Sequence, residues 1–226
     1  MHVLCCVSND RRKEMSGVRN AFNCSFVACR SNLRKCWHFI LCYKPQLLSS
    51  SSTTTNEHQY QVLCLGLSGS GKSTLLAQLV GEQIGVDTIE PTEGFNIKTL
   101  PLNGIMLSIK ELGGSERLQT FWSNYYENKH ALLFIVNIAS NETIMQQSLD
   151  TLRTILMNPG LRGRPCMIIG THKDRPEART EQQIEQYFQP LLNGHKWKIF
   201  CCSALDRKSI MDAFAALIVL IKNVFP

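Results

Sequence analysis

A glycine-rich loop between two apolar segments constrains this chain more than any other feature of its sequence. The loop reads Gly66-Leu67-Ser68-Gly69-Ser70-Gly71-Lys72-Ser73 and matches the phosphate-loop pattern G-x-x-x-x-G-K-[ST]. The apolar segment 62–65 before it is typical of a buried strand, and segment 73–80 after it is typical of a helix. Backbone N–H groups and the helix dipole make an anion site at such a junction. The sequence therefore predicts that the chain binds a nucleoside triphosphate.

The residue types within this loop divide the work of holding phosphates. Lys72 can reach the outer phosphates, and the Ser73 hydroxyl can ligate magnesium. The loop by itself indicates neither the base nor the fate of the bound nucleotide. The predicted phosphate-binding residues are Gly66, Ser68, Gly69, Ser70, Gly71, Lys72, Ser73 and Thr74.

The chain divides near Gln59 into a basic tail and a nearly neutral remainder. Residues 1–58 hold eight Lys/Arg and three Asp/Glu, whereas the remainder holds sixteen and fifteen. An unbroken Ser/Thr run at 49–55 is typical of a flexible linker. We therefore predict a flexible extension over 1–58 and one folded domain over 59–226, without a nucleic-acid-binding surface on that domain.

Six of the ten cysteines lie in the tail. Cys36 and Cys42 flank the apolar segment 37–41 and have basic neighbours, a composition that suits a membrane interface and S-acylation. A flexible tail of arbitrary composition explains the same residues, and both interpretations stay open. A zinc site is disfavoured because the sequence has no C-x-x-C pair.

Strand-like and helix-like segments alternate from residue 59 onward, which predicts an α/β sheet with helices on both faces. The sequence Asn103-Gly104 between two alternating segments predicts an antiparallel hairpin at one edge of a mostly parallel, six-stranded sheet. An apolar stripe on the last predicted helix favours core packing. The strands are predicted near 60–66, 95–101, 105–111, 131–137, 165–170 and 197–202, and the helices near 72–80, 116–128, 141–157, 180–190 and 208–224.

Four short motifs lie beside predicted strands, where the ligands of open α/β sheets bind. They are P-T-E-G-F-N at 91–96, E-L-G-G-S at 111–115, T-H-K-D at 171–174 and S-A-L at 203–205. In this order and spacing they resemble the ADP-ribosylation factor-like branch of the small GTPases, over about residues 59–226. The resemblance implies the small-GTPase fold, binding of GTP and GDP with Mg²⁺, and hydrolysis of GTP. It also implies that 91–96 and 111–118 are switch segments.

The resemblance assigns the last two motifs to reading of the guanine base. Asp174 can accept hydrogen bonds from the guanine N1–H and amine, a donor pair that adenine lacks, although in isolation it would be an ordinary loop acid. The Ala204 N–H, next to Ser203, would bind the guanine oxygen. Thr171 stands where the family has Asn, and its hydroxyl can tie the base loop to the phosphate loop. His172 replaces a Lys that lies over the base, and a ring can stack there.

The two switch motifs carry the parts that sense the γ-phosphate. The resemblance implies that Thr92 ligates magnesium and that the Gly114 N–H binds the γ-phosphate. Glu111 replaces an Asp that lies just outside the magnesium ligands, and it is one methylene longer. Ser115 replaces the Gln that orients the attacking water, and it is too short to do so. We therefore expect slow intrinsic hydrolysis, with Lys72, Gly114 and Ser115 as the catalytic positions.

The resemblance also implies partner proteins and a membrane. Phe95 and Tyr125 match two members of an aromatic triad that effectors bind, Lys110 stands in place of the third, and Glu93 replaces an apolar residue. We expect effectors, an exchange factor and an activating protein, and a monomer in the cytoplasm whose tail reaches a membrane such as the Golgi during vesicle trafficking. An alternative interpretation of Lys110 is a solvated hairpin residue. A nucleotide-bound scaffold without turnover and an ATP-dependent phosphate-loop enzyme are the alternatives.

Overall fold

The computed structural model describes residues 59–82 and 90–225, which form one α/β unit. Short 3-10 helices at Trp122–Tyr125 and Pro159–Leu161 supplement the regular elements. Those elements, numbered along the chain, are β1 Gln59–Leu65, α1 Lys72–Val80, β2 Phe95–Leu102, β3 Ile105–Leu112, α2 Glu116–Gln119, β4 Ala131–Asn137, α3 Glu142–Leu156, β5 Cys166–Thr171, α4 Glu181–Leu192, β6 Trp197–Cys201 and α5 Arg207–Lys222.

The six strands form one sheet in the order β2-β3-β1-β4-β5-β6. Only β2 and β3 pair in antiparallel fashion; the other neighbours are parallel. The two-residue turn between them has φ of 53° at Asn103 and 73° at Gly104. Positive φ at both positions is the geometry for which Asn-Gly is favoured. The predicted sheet and its edge hairpin are therefore confirmed.

Helices cover both faces of the sheet because the central strands are apolar on both sides. Val62 and Cys64 of β1 pack in a cluster with α1 and α5, whereas Leu63 and Leu65 pack with α3 and α4. Successive strand residues point to opposite faces, which explains the alternation. The stripe on α5 lies in the core as predicted, with Ile210, Phe214, Leu217 and Ile221 fully buried.

One predicted helix is wrong. The segment 116–128 does not form a continuous helix but splits into α2 and the 3-10 turn Trp122–Tyr125. Trp122 is 2% exposed, and its indole N–H donates to the Gly113 carbonyl at 3.0 Å. This contact fixes the chain against the residue that follows β3, and the turns there have i→i−3 hydrogen bonds, such as Asn124 N–H to Phe121 O. A tertiary contact thus overrides local helix propensity.

The structure leaves the expectations about the tail open. The flexible extension, the Ser/Thr linker and acylation of Cys36 or Cys42 all lie outside the described residues. Within 59–82 and 90–225, no helix has the length and hydrophobicity that a membrane span requires.

Candidate nucleotide-binding site

A cavity of about 750 Å³ opens at the carboxyl ends of the parallel strands. Its walls come from the phosphate loop, the two predicted switch segments and the loops after β5 and β6. The structure therefore brings together five segments that lie as far apart in the chain as Ser68 and Leu205. The predicted site residues that line the cavity are Ser68, Gly69, Gly71, Lys72, Ser73, Thr74, Thr92, Gly114, Ser115, Thr171, His172, Asp174 and Ala204.

The phosphate loop is held tightly around the Lys72 ammonium. Lys72 is 6% exposed, and its Nζ donates to the carbonyls of Gly66 and Leu67, each at 2.9 Å. Burial lowers the pKa of this ammonium, and the nearby Glu111 carboxylate opposes the shift. Gly71, with φ of 84°, is the N-cap of α1. A buried cation at a helix N-terminus, beside an open cavity, suits an anionic ligand.

Three oxygen-bearing side chains meet beside the phosphate loop. The Ser73 Oγ lies 3.1 Å from Thr92 Oγ1 and donates to Glu111 Oε1 at 2.5 Å. Glu111 is 1% exposed, and its other oxygen accepts from Asn96 Nδ2 at 3.4 Å. Hydroxyl and carboxylate oxygens are the ligand types that Mg²⁺ prefers. The residues present therefore fit magnesium next to a phosphate, and the extra methylene of Glu111 does not prevent contact with Ser73.

The second switch segment packs directly on the phosphate loop. The Gly114 carbonyl accepts from Ser68 N–H at 3.0 Å and from Gln119 Nε2 at 2.9 Å. A Cβ on Gly114 would lie 2.4 to 2.6 Å from backbone atoms of Gly66, Leu67 and Ser68. Only glycine therefore fits at this position. The contact joins the second switch segment to the loop that holds the predicted phosphates.

The neighbouring residues tie the two switch segments to each other. The Gly113 N–H donates to the Gly94 carbonyl at 2.8 Å. The exposed Ser115 precedes α2, and its carbonyl accepts from the N–H groups of Leu118 and Gln119. The hydrogen bond between Gly113 and Gly94 therefore joins the two predicted switch segments.

The residues that are predicted to read the base also contact one another or the phosphate loop. Ser203 Oγ donates to Asp174 Oδ1 at 2.5 Å, which holds the pKa of that carboxyl below its usual value. The Thr171 hydroxyl lies 2.8 Å from the Ser70 carbonyl, so the contact between base loop and phosphate loop is formed. His172 Nδ1 lies 2.9 Å from Thr171 Oγ1, and the residue has φ of 63°. Burial lowers the pKa of His172, with Arg175 adding to the shift.

Three of the predicted partner-binding residues, Phe95, Lys110 and Tyr125, lie together at the hairpin. The rings of Phe95 and Tyr125 are 6.3 Å apart, and Lys110 Nζ lies 4.9 Å from the first and 5.1 Å from the second. Glu93 is exposed nearby in sequence. Lys110 is therefore not simply a solvated hairpin residue, because its ammonium contacts both rings.

Some predicted site residues do not line the cavity but support residues that do. The structure also places residues at the site that the sequence did not predict. Of the predicted residues, Gly66, Ser70, Glu111 and Ser203 do not line the cavity but contact residues that do. Sequence reasoning missed Asn96, although it belongs to the first switch motif, and Gln119, whose only signal is its spacing of four from Ser115. The lining also includes the unpredicted Gln78, Glu90, Arg117 and Arg175.

Comparisons with known proteins show which family the chain is similar to. The chain is 35% identical to ADP-ribosylation factor-like protein 15 of Bos taurus over 167 residues, which cover 73% of this chain and 82% of the relative. It is 33% identical to ADP-ribosylation factor-like protein 3 of Caenorhabditis elegans, with 68% and 83% covered. Among solved structures, the Arl6 BBS3 small GTPase of Trypanosoma brucei, solved with the nucleotide analogue GppNp, has the same fold. That structure aligns with a TM-score of 0.64 at 22% identity, covering 74% of this chain and 99% of the other.

The fold and the assembled site define a phosphate-loop protein of the small-GTPase class. The model of the ADP-ribosylation factor family matches residues 46–221, so most of the chain is covered. The chain belongs to the ADP-ribosylation factor family. The match begins before Gln59, and the domain boundary at that residue stays a prediction.

Proposed function

We propose that this chain is a GTP-dependent molecular switch that binds GTP and GDP with magnesium. One observation carries the proposal: both switch segments contact the phosphate loop, Thr92 at Ser73 and Gly114 at Ser68. A nucleotide bound in the phosphate loop would therefore influence the positions of both switch segments. Loss of a γ-phosphate releases such contacts, and the released segments present a different surface.

Guanine selection rests on the orientation of Asp174. Its lowered pKa keeps the carboxylate ionised at neutral pH, so both oxygens are acceptors. Ser203 occupies one oxygen and fixes the carboxylate relative to the loop after β6. A fixed double acceptor favours guanine, which offers two adjacent N–H donors, over adenine. The Ala204 backbone lines the same part of the cavity.

Magnesium would be held by the hydroxyls of Ser73 and Thr92, with Glu111 orienting Ser73 from behind. When bound, the ion neutralises phosphate charge and stabilises the charge that develops during phosphoryl transfer. The Ser73 hydroxyl donates its single proton to Glu111, which leaves its lone pairs directed elsewhere. Lys72 supplies a second positive charge from within the phosphate loop.

We further propose that intrinsic GTP hydrolysis is slow. Ser115 is exposed and too short to orient a water molecule as a glutamine would. The amide of Gln119, the nearest glutamine along α2, is engaged with the Gly114 carbonyl. Each tenfold loss of rate corresponds to about 1.4 kcal/mol of barrier. The lifetime of the GTP state would then depend on an exchange factor and on an activating protein.

Single-turnover hydrolysis of the wild-type protein and of Ser115→Gln tests this proposal. We expect the variant to hydrolyse GTP at least about tenfold faster, because a water-orienting group is restored. Thr120→Gln, at an exposed position just after α2, is the matched control and should leave the rate unchanged. A wild type as fast as Ser115→Gln would show that Ser115 does not limit hydrolysis.

A second candidate function is a nucleotide-bound interaction scaffold that does not turn over. Ser115, Glu111 and Lys110 favour it, because each departs from the family pattern. Exchange of mant-GDP and mant-GTP, followed by partner binding in both states, separates the two candidates. Partner binding that is equal in both states would support the scaffold.

Membrane recruitment is proposed through the tail, with Cys36 or Cys42 as acylation sites. A truncated protein that begins at Gln59 should leave the membrane fraction of cells, and Cys36→Ser with Cys42→Ser should shift the same distribution if acylation is the anchor. Fractionation of the truncated protein with membranes to the same extent as the full chain would exclude the tail as the anchor. The Golgi and other endomembranes are the candidate membranes, and a monomer is the proposed state.

A further inference from the structure

The edge hairpin presents a small surface that combines apolar groups with one positive charge. Phe95 and Ile97 of β2 are 43% and 52% exposed, although both are large apolar side chains. Ile97 lies opposite Lys110 in the antiparallel pair β2–β3, so their side chains share one face of the sheet. Tyr125 from the 3-10 turn completes the group. We call Phe95, Ile97, Lys110 and Tyr125 the Lys110 surface.

The aromatic rings hold the Lys110 ammonium at a defined place. Its Nζ lies 4.9 Å from the Phe95 ring centre and 5.1 Å from the Tyr125 ring centre, within the range of cation–π attraction. The two ring centres are 6.3 Å apart, so the ammonium forms the third corner of a compact triangle. A lysine fixed by two rings loses less conformational entropy on binding a partner than a freely rotating one.

The charge of this surface is not neutralised by the part of the chain that the structure describes. Lys110 and Lys129 make no ion pair with any carboxylate in residues 59–82 and 90–225, whereas the adjacent Lys98 pairs with Glu82. Burial and the charge of Lys110 together lower the pKa of Lys129, so the second lysine is close enough to reinforce the positive potential. Uncompensated positive charge beside exposed apolar side chains is complementary to a carboxylate with apolar neighbours.

We propose that the Lys110 surface binds a protein segment that places an Asp or Glu carboxylate on the Lys110 ammonium and apolar side chains on Phe95 and Ile97. The inference rests on the proposed switch function, since it names the partner chemistry of that function's effector surface. A partner with a basic side chain at this point would meet an unshielded positive charge and be rejected. Apolar contact with Phe95 and Ile97 supplies affinity, and the carboxylate supplies register and selectivity.

The test is selection of a random 12-residue peptide library on the full-length protein loaded with the non-hydrolysable analogue GppNHp. We expect the selected peptides to carry an Asp or Glu beside an aromatic or aliphatic residue. Lys110→Gln should weaken the best peptide about tenfold, as expected for loss of a partly buried charge pair. Lys110→Arg should retain binding, and selection on Lys110→Glu should favour Lys or Arg in place of the acid.

Lys98→Glu is the matched control, because Lys98 is on the same hairpin but on the opposite face of β2 and paired with Glu82. It changes the net charge as Lys110→Glu does and should leave the affinity within about twofold. The proposal would be overturned if the selected peptides showed no excess of acidic residues or if their affinities did not change in Lys110→Gln. It would also be overturned if no selected peptide depended on Lys110. Binding of vesicles with about 30% phosphatidylserine that depends on Lys110, without peptide binding, would assign the surface to a membrane and also overturn it.

The proposed switch function is tested separately in the same samples. Failure of the protein to bind mant-GDP and mant-GTP would refute the switch, and the peptide selection would then be carried out on the nucleotide-free protein. Normal nucleotide binding with peptides that lack an acid would refute only the inference about the partner.

Discussion

Replacement of Gly114 by alanine is a sharp test of how the second switch segment contacts the phosphate loop. The new methyl would lie 2.4 Å from Gly66 O, 2.5 Å from Leu67 C and 2.6 Å from Ser68 N. Ordinary contacts begin near 3.4 Å, so the two segments must separate by about 0.8–1.0 Å. Overpacking of this kind costs about 1–3 kcal/mol, and loss of the Ser68–Gly114 hydrogen bond adds about 1 kcal/mol.

The combined cost of about 2–4 kcal/mol corresponds to a change of about 30- to 800-fold in an equilibrium constant. The proposed switch releases the second switch segment from the phosphate loop in the GDP state, so the loss should appear in the affinity for GppNHp and not in that for GDP. The assay is equilibrium titration with mant-GppNHp and mant-GDP. Gly104→Ala is the control: its φ of 73° imposes a backbone cost on stability, but nothing lies within 4 Å of the new methyl.

An unchanged GppNHp affinity in Gly114→Ala would show that the second switch segment does not need to pack on the phosphate loop in the GTP state. An equal loss for GDP and GppNHp would also contradict the prediction, since the methyl would then only distort the phosphate loop. The free energy of unfolding in urea, measured alongside, separates either result from a general loss of stability.

Three further predictions concern the base, the second switch segment and pH. Asp174→Asn should weaken the affinity for GTP at least about a hundredfold in competition titrations, because hydrogen bonds to a charged acceptor contribute about 1.5–3 kcal/mol each. The same variant should bind xanthosine triphosphate better than the wild type does. An unchanged affinity for GTP would contradict the assignment of Asp174. Gln119→Leu removes a hydrogen-bond donor to the Gly114 carbonyl. The affinity for mant-GppNHp should fall about three- to tenfold, and that for mant-GDP by less than about twofold. Wild-type affinities for both nucleotides would exclude a positioning role for Gln119. Burial, followed by the charge of Arg164, lowers the folded-state pKa of His130 below its ordinary 6.5, so the unfolded chain takes up the proton first. The stability that neutral His130 contributes is therefore present above about pH 6.5 and is lost as the pH falls below that value. The drop in Tm between about pH 7.5 and about pH 5.5 should consequently be smaller in His130→Asn than in the wild type. An equal drop in both proteins would contradict this role of His130.

Much of the fold can be predicted from local sequence signals. Asn103-Gly104 predicted the edge hairpin because its turn requires positive φ at both residues. The alternation of apolar segments predicted the order of strands and helices, and the phosphate loop placed the site at the carboxyl end of β1. These signals are local, so one sequence suffices to recognise them.

The errors and omissions arise from contacts between distant segments. The break in the predicted helix 116–128 depends on the indole of Trp122 reaching Gly113, which no helix propensity encodes. Asn96 and Gln119 gain their roles only because folding places them against Glu111 and Gly114. The position of Lys110 between the rings of Phe95 and Tyr125 likewise requires the register of β2 and β3 and the turn after α2.

In the proposed switch, GTP and GDP set two arrangements of the switch segments, and Trp122 is placed to report on them. Its buried indole donates to the Gly113 carbonyl, next to the glycine that packs on the phosphate loop. The sequence contains two other tryptophans, Trp37 and Trp197, which Trp→Phe substitutions remove from the signal. The decisive measurement is the fluorescence of Trp122 in the variant with Trp37→Phe and Trp197→Phe, first with GDP bound and then after exchange for GppNHp. We expect a change in emission on exchange to GppNHp that reverses when excess GDP is restored. Identical emission with both nucleotides bound would contradict the switch.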